Sequence, residues 1–282
     1  MVLESLINPF AAESRPQKMI LYGALYSSIA VFLSLWIFEG QASLVMVFLT
    51  TMACIPLIYN TIKMEEQKDE EIAEEKSLLK EHAKALEFFL FLFLGMVMAM
   101  AFWYIVLDAS IVEQLFSVQS STINRINSPV TGNAVQNALF VQILLNNLQV
   151  MMFSLLFAFL YGVGAIFILT WNASVIATAV GNFIRTGIAE AATMLGLAKS
   201  AAYFKVFSLG LLKYAIHGIP EIFAYFAAGL AGGIISVAML KHGLDMDKFK
   251  RIIIDTLDII LIALGTVLLA AWLEVYITPL VF

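Results

Sequence analysis

His217 and Glu221 are the residues of this 282-residue chain whose types and spacing most invite chemistry. A step of four places them one above the other on a helix, where an imidazole and a carboxyl can share a hydrogen bond or pass a proton. Around them, Lys213 to Lys241 is apolar enough to sit in lipid. An ionisable group at the bilayer centre costs at least about 2.5–3.5 kcal/mol, so such a residue is a functional-site hypothesis by default. Below the pair, the same face carries Ala224, Ala228, Gly232 and Ser236. Together with Gly229 these form a groove of small residues against which another helix can pack closely. Two readings follow: a polar clamp between helices, and a proton or substrate site. Lys213 and Tyr214 before the pair and Pro220 within it place it toward the headgroups, where the cost of charge falls.

The elements that must position these groups follow from composition. The chain is 61% hydrophobic and 13% charged, with mean hydropathy +0.91, well above the roughly 45–50% apolar content of soluble domains. Its fold class is therefore expected to be all-α: a polytopic helical membrane protein of six to seven transmembrane helices with a charged cytoplasmic helix extension. Its first partner is the lipid bilayer, its place a cell membrane. No basic face suggests nucleic acid. The single cysteine, Cys54, lies in an apolar run and reads as a small core residue. His82, His217 and His242 are scattered, so neither a metal site nor a cofactor is expected. His-Glu-x-x-His, Gly-x-Ser-x-Gly and phosphate-loop motifs are all missing, which argues against an enzyme.

Along the chain, Met1 to Phe10 reads as an interfacial helix with Leu3, Leu6, Ile7 and Phe10 on one side. Met19–Phe38 and Ala42–Ile62 form a transmembrane hairpin about the Glu39-Gly40 turn, with Pro56 as a tolerated kink. Residues 1–62 make one unit, and residues 63–87 a charged helix whose lysines place it, and the N-terminus, in the cytoplasm. Acids lead and bases follow in that helix, which suits its dipole. Ile72, Leu79 and Leu86, spaced by sevens, offer a docking strip for a partner or a second copy; the plainer expectation is a solvated helix. Residues 88–138 hold the third span and an outer loop. In that loop Ile111, Leu115, Phe116 and Val118 are expected on the membrane surface, and 108–138 is the second candidate contact for partners.

Residues 139–282 form the remaining core. The fourth span lies within Leu139–Leu169, carrying Gln142, Asn146, Asn147 and Gln149 and then Gly162. Amides in such helices usually bond between helices, at about 0.6–2 kcal/mol each. Ala173–Ala192, interrupted by Gly181, Asn182, Arg185 and Gly187, reads either as a full span or as a re-entrant one. Thr193–Leu212 suggests an interfacial helix, and Ile252–Ile277, with Glu274, the last span.

The order of Asn146-Asn147, Gly162, Trp171-Asn172, His217-Gly218-Ile219-Pro220-Glu221, Ala228-Gly229-Leu230-Ala231-Gly232 and Glu274 to Thr278-Pro279 resembles the stage II sporulation protein M family of integral membrane proteins. The likeness covers Leu139 to Pro279. Where that family commonly shows Asn-Gly, this chain has Asn172-Ala173. The N-terminal hairpin and acidic helix are more similar to archaeal and bacterial relatives outside sporulation. The resemblance implies a non-enzymatic scaffold, since the sporulation member recruits cell-wall hydrolases. It also marks Asn146, Asn147, His217, Glu221 and Glu274 as a polar cluster, and Gly162, Ala228, Gly229 and Gly232 as packing positions. The competing expectation is a transporter or channel subunit with its polar site at His217 and Glu221.

Overall fold

The computed structural model describes residues 16–71, 75–126, 135–162, 164–194, 196–242 and 246–281, and all regular structure among them is helical. Helix α1 spans Met19–Ile37, α2 Ala42–Glu71, α3 Glu75–Val106, α4 Ala109–Ile126, α5 Val135–Tyr161, α6 Ala165–Ala192, α7 Gly196–His242 and α8 Met246–Trp272. A π-helical turn, Leu273–Ile277, and a short helix, Thr278–Val281, follow. Every numbered helix except α4 is long and apolar enough to cross a membrane, giving seven candidate spans among the described residues. The chain is an all-α, multi-pass membrane protein. The expected interfacial helix at Met1 to Phe10 lies outside the described residues.

Short connections force neighbouring spans to run in opposite directions, and cross-chain contacts define the two ends of the bundle. Glu65 meets His82 and Glu66 meets Lys241 at one, the hairpin end. His217 meets Thr278 and Tyr276 meets Asn137 at the other, the Thr278 end. Within this alternation α7 is the post around which the others stand: 78% of its most apolar window is buried, against 22–50% for the other six. Tyr225, Phe226, Leu230 and Ile234 fill the centre from α7, and Phe226 stacks on Phe89 of α3. Buried threonines such as Thr50, Thr51 and Thr61 return their hydroxyl protons to carbonyls one turn back, so they add no unsatisfied donor to the apolar interior.

Close approach of helices is decided by glycines at crossings. A methyl group at Gly23 of α1 would collide with the Leu92 carbonyl of α3, and one at Gly95 with the Ile20 carbonyl. Gly232 of α7 lies likewise against the Leu155 carbonyl of α5, and Gly229 against Ala165 of α6. Lipid tails give no hydrophobic force between helices, so such backbone proximity is the main route to attraction. Ala228 is wholly buried in the same row. Gly162, in contrast, is not a packing glycine. It has φ +68° and ends α5, a conformation costly for any residue with a Cβ.

That turn ends α5 inside Leu139–Leu169, the stretch within which the fourth span is expected, and the remainder from Ala165 opens α6. Asn172-Ala173 then falls inside α6, where the Asn172 amide donates to the Ile168 carbonyl. Ala173–Ala192 belongs to a continuous 28-residue helix, and the re-entrant alternative is excluded. Its interruptions have partners: Gly181 admits the Tyr104 ring, and the Arg185 guanidinium donates to the Tyr104 and Leu107 carbonyls at 3.1 and 2.9 Å. A cation that completes the open carbonyls of a helix C-terminus is favoured there by the dipole. Residues 196–212, expected as a separate interfacial helix, continue directly into the sixth span as one 47-residue helix.

Two further expectations are corrected by packing. The charged segment 63–87 is not one solvated helix but the ends of α2 and α3, which come together as a helical hairpin. Leu86 is buried in the core and Leu79 packs against it, so the heptad strip is not open for docking; Ile72 lies outside the described residues. Leu115 and Phe116 of α4 are wholly buried rather than resting on lipid, and Ile111 packs against the same cluster. A buried relay explains the inward turn of α4. Ser43 of α2 donates to Gln119 at 2.6 Å, and Gln119 donates to Ser174 of α6 at 3.1 Å. A buried amide of this kind is held only where both of its polar ends are met.

Candidate polar site within the bundle

The residues singled out by type and spacing gather at the Thr278 end, though not as a single hydrogen-bonded group. Tyr225, one turn beyond Glu221 on α7, donates its hydroxyl to the Glu221 carboxylate at 2.7 Å. Tyr225 has no solvent exposure. Glu274, on the π-helical turn after α8, lies within electrostatic reach of both Glu221 and Tyr225. Among the described residues, neither glutamate has a cation partner. The inserted residue of a π turn re-aims the side chains around it, and such turns occur frequently at functional sites.

His217 does not bond to Glu221. Its Nδ1 lies 3.2 Å from Thr278 Oγ1, while that hydroxyl donates to the Leu273 carbonyl at 3.1 Å. With that hydroxyl donating to Leu273, its oxygen can accept from a protonated Nδ1 of His217. The contact closes the π turn against α7. Tyr276 in the same turn donates to Asn137 of α5 at 3.1 Å. The last two spans and the fourth are thereby clamped together at this end, through His217 and Thr278, both in the motifs read from sequence, and through Tyr276 and Asn137, which pattern reading had not selected. Their signal was present only as a hydroxyl and an amide near helix ends.

Asn146 and Asn147 take separate parts. Asn146 faces outward and donates to the Asn147 side-chain oxygen at 3.3 Å. Asn147 is buried, with its own Nδ2 unpartnered among the described residues. α5 and α7 run in the same direction, and Leu155 adjoins Gly232. About two turns back along each helix, Asn147 stands level with Ala224, between Glu221 and Tyr225 in height.

A second polar cluster, which the sequence reading had placed in a solvated helix, occupies the hairpin end. Glu65 is fully buried; it accepts from Lys68 at 2.7 Å and pairs with His82 at 2.8 Å. Glu66 is equally buried and pairs with Lys241 of α7 at 3.3 Å. No group of three or more His, Cys, Asp or Glu among the described residues is arranged to hold a metal ion.

Compared with known proteins, the chain matches the family model described as Stage II sporulation protein M over residues 88–279, a range that begins well before Leu139 and takes in most of α3 and all of α4. No curated protein and no solved structure matches.

Proposed function

The chain belongs to the stage II sporulation protein M family, and from that premise we propose that it is a non-enzymatic membrane scaffold that recruits partners or associates with itself. The observation that carries this reading is the hairpin of α2 and α3. It continues past the apolar spans and is locked to α7 by Glu66 and Lys241, which presents Lys80, Lys84 and Glu87 on an exposed, fixed surface. Rigid presentation favours binding because less conformational freedom is lost on contact. The lysines of this hairpin, with Lys250 and Arg251 at the same end, support a cytoplasmic hairpin and N-terminus in a cell membrane under the positive-inside rule.

A transporter or channel subunit is the second reading, favoured by Glu221 and Glu274 lying in each other's field inside the bundle. One reconstitution separates the two. Under the scaffold reading, proteoliposomes carry no proton or cation flux that changes on E221Q or E274Q, whereas Lys80→Glu with Glu87→Lys strips co-purifying partners from a protein of unchanged thermal stability. A robust flux abolished by E221Q would refute the scaffold.

A further inference from the structure

The outward face of α5 carries amides where lipid should be. Its inward face is Asn147, Met151, Ser154 and Ala158, all buried. On the opposite side Gln142, Asn146 and Gln149 are exposed. Neither glutamine has a hydrogen-bond partner among the described residues, and Asn146 is met only by its neighbour. At about 1.5 Å per residue, Asn146 and Gln149 lie roughly 13 and 18 Å along the helix from Asn137, the first residue of this candidate span, against a hydrocarbon core about 30 Å thick. The outward faces of the other spans differ: α1 shows Leu21, Leu25, Ile29 and Phe32, and α3 shows Leu94, Met98 and Phe102. Thr266 on the exposed side of α8 bonds to its own helix at Ile262. Among the described residues, only α5 holds side-chain amides on its outward face, well inside the span, with donors and acceptors unmet; water is excluded from a hydrocarbon core.

Spacing shows what shape would cover them. Gln142, Asn146, Gln149, Phe153, Leu156 and Leu160 follow one another by four, three, four, three and four residues. That is the 3.5-residue seam of two helices packed side by side along their length. Beside the seam a groove between α5, α7 and α8, lined by Gln149, Met152, Leu156, Gly232, Ile235 and Ile260, can receive the side chains of an incoming helix.

We propose that this seam is the interface between two copies of the chain, with α5 packed against α5 about a two-fold axis along the membrane normal. The amides select a second copy over other occupants. A carboxamide donates and accepts equally, so each stripe complements itself. Two copies in one membrane share the same orientation, so the axis brings each seam residue opposite its own counterpart at equal depth. An acyl chain would leave every amide unpaired. The interface is independent of what the charged hairpin binds and of whether any solute crosses the bundle.

The test is cysteine cross-linking in native membranes on a Cys54→Ser background, with single cysteines at Asn146, Gln149 or Phe153 and a control at Leu25 on α1. Oxidation is expected to give a species of twice the chain mass from the three seam positions and none from the control. In liposomes, energy transfer between donor- and acceptor-labelled copies is expected to fall at least tenfold in the variant Q142L/N146L/Q149L. Its leucines face lipid, so the single-copy fold is retained and is checked by unchanged thermal unfolding. Seam cysteines that stay monomeric, that cross-link to a different protein, or energy transfer that survives the triple substitution would each overturn the proposal.

Discussion

The two ends of the bundle solve the burial of carboxylates in opposite ways. At the hairpin end each buried glutamate has a cation within reach: Glu65 has Lys68, with the His82 ring as a further partner, and Glu66 has Lys241. At the Thr278 end Glu221 and Glu274 lie in each other's field, and among the described residues the Tyr225 hydroxyl is the strong donor that Glu221 has. An ion pair removed from water is held by mutual attraction and collapses when one member is lost. Two carboxyls set in one field with no cation between them disfavour being ionised together. The hairpin end is therefore a lock of paired charges, and the Thr278 end a pair of carboxyls held without a cation among the described residues.

The largest test of that contrast falls on the lock. Glu65→Ala strands His82 and Lys68 around a vacated buried site, and is expected to destabilise the protein by about 3–5 kcal/mol, read as a lower thermal unfolding midpoint in detergent. A loss under about 1 kcal/mol would mean that the hairpin is not fastened there. At the other end, Tyr225→Phe removes the donor that steadies Glu221 and is expected to cost about 1.5–3 kcal/mol. Glu274→Gln should have the smallest effect and the reverse sign: taking a carboxyl out of the field of Glu221 leaves stability unchanged or raised by up to about 1 kcal/mol. The contrast fails if Glu274→Gln destabilises as much as Glu65→Ala in the same unfolding assay.

Much of the architecture was legible in the residues. Long apolar runs, each about a bilayer in length, announced the spans, and the small-residue row Ala228, Gly229 and Gly232 marked α7 as the helix that others approach. Other features were hidden because they depend on a partner. Gly162 looks the same in sequence whether it admits a neighbouring helix or adopts a positive φ, and only the backbone distinguishes the two. Arg185 reads as an interruption until the carbonyls of Tyr104 and Leu107 are seen beside it. Glu65 and Glu66 read as solvated charges in an acidic run, because nothing local shows that His82 and Lys241 come back to meet them.

What the sequence determined by itself is the solvent of each segment. Transfer free energy is summed residue by residue, so an apolar run of sufficient length enters lipid whatever its neighbours are. What only the tertiary structure decided is pairing: which carboxylate meets a cation, which meets another carboxylate, and which amides of α5 turn inward or out. Those outcomes turn on approaches such as the 2.8 Å between Glu65 and His82 and the 3.3 Å between Glu66 and Lys241, residues apart in the chain. Such distances arise only when helices pack, and inside the bundle the low dielectric makes them count for far more than they would in water.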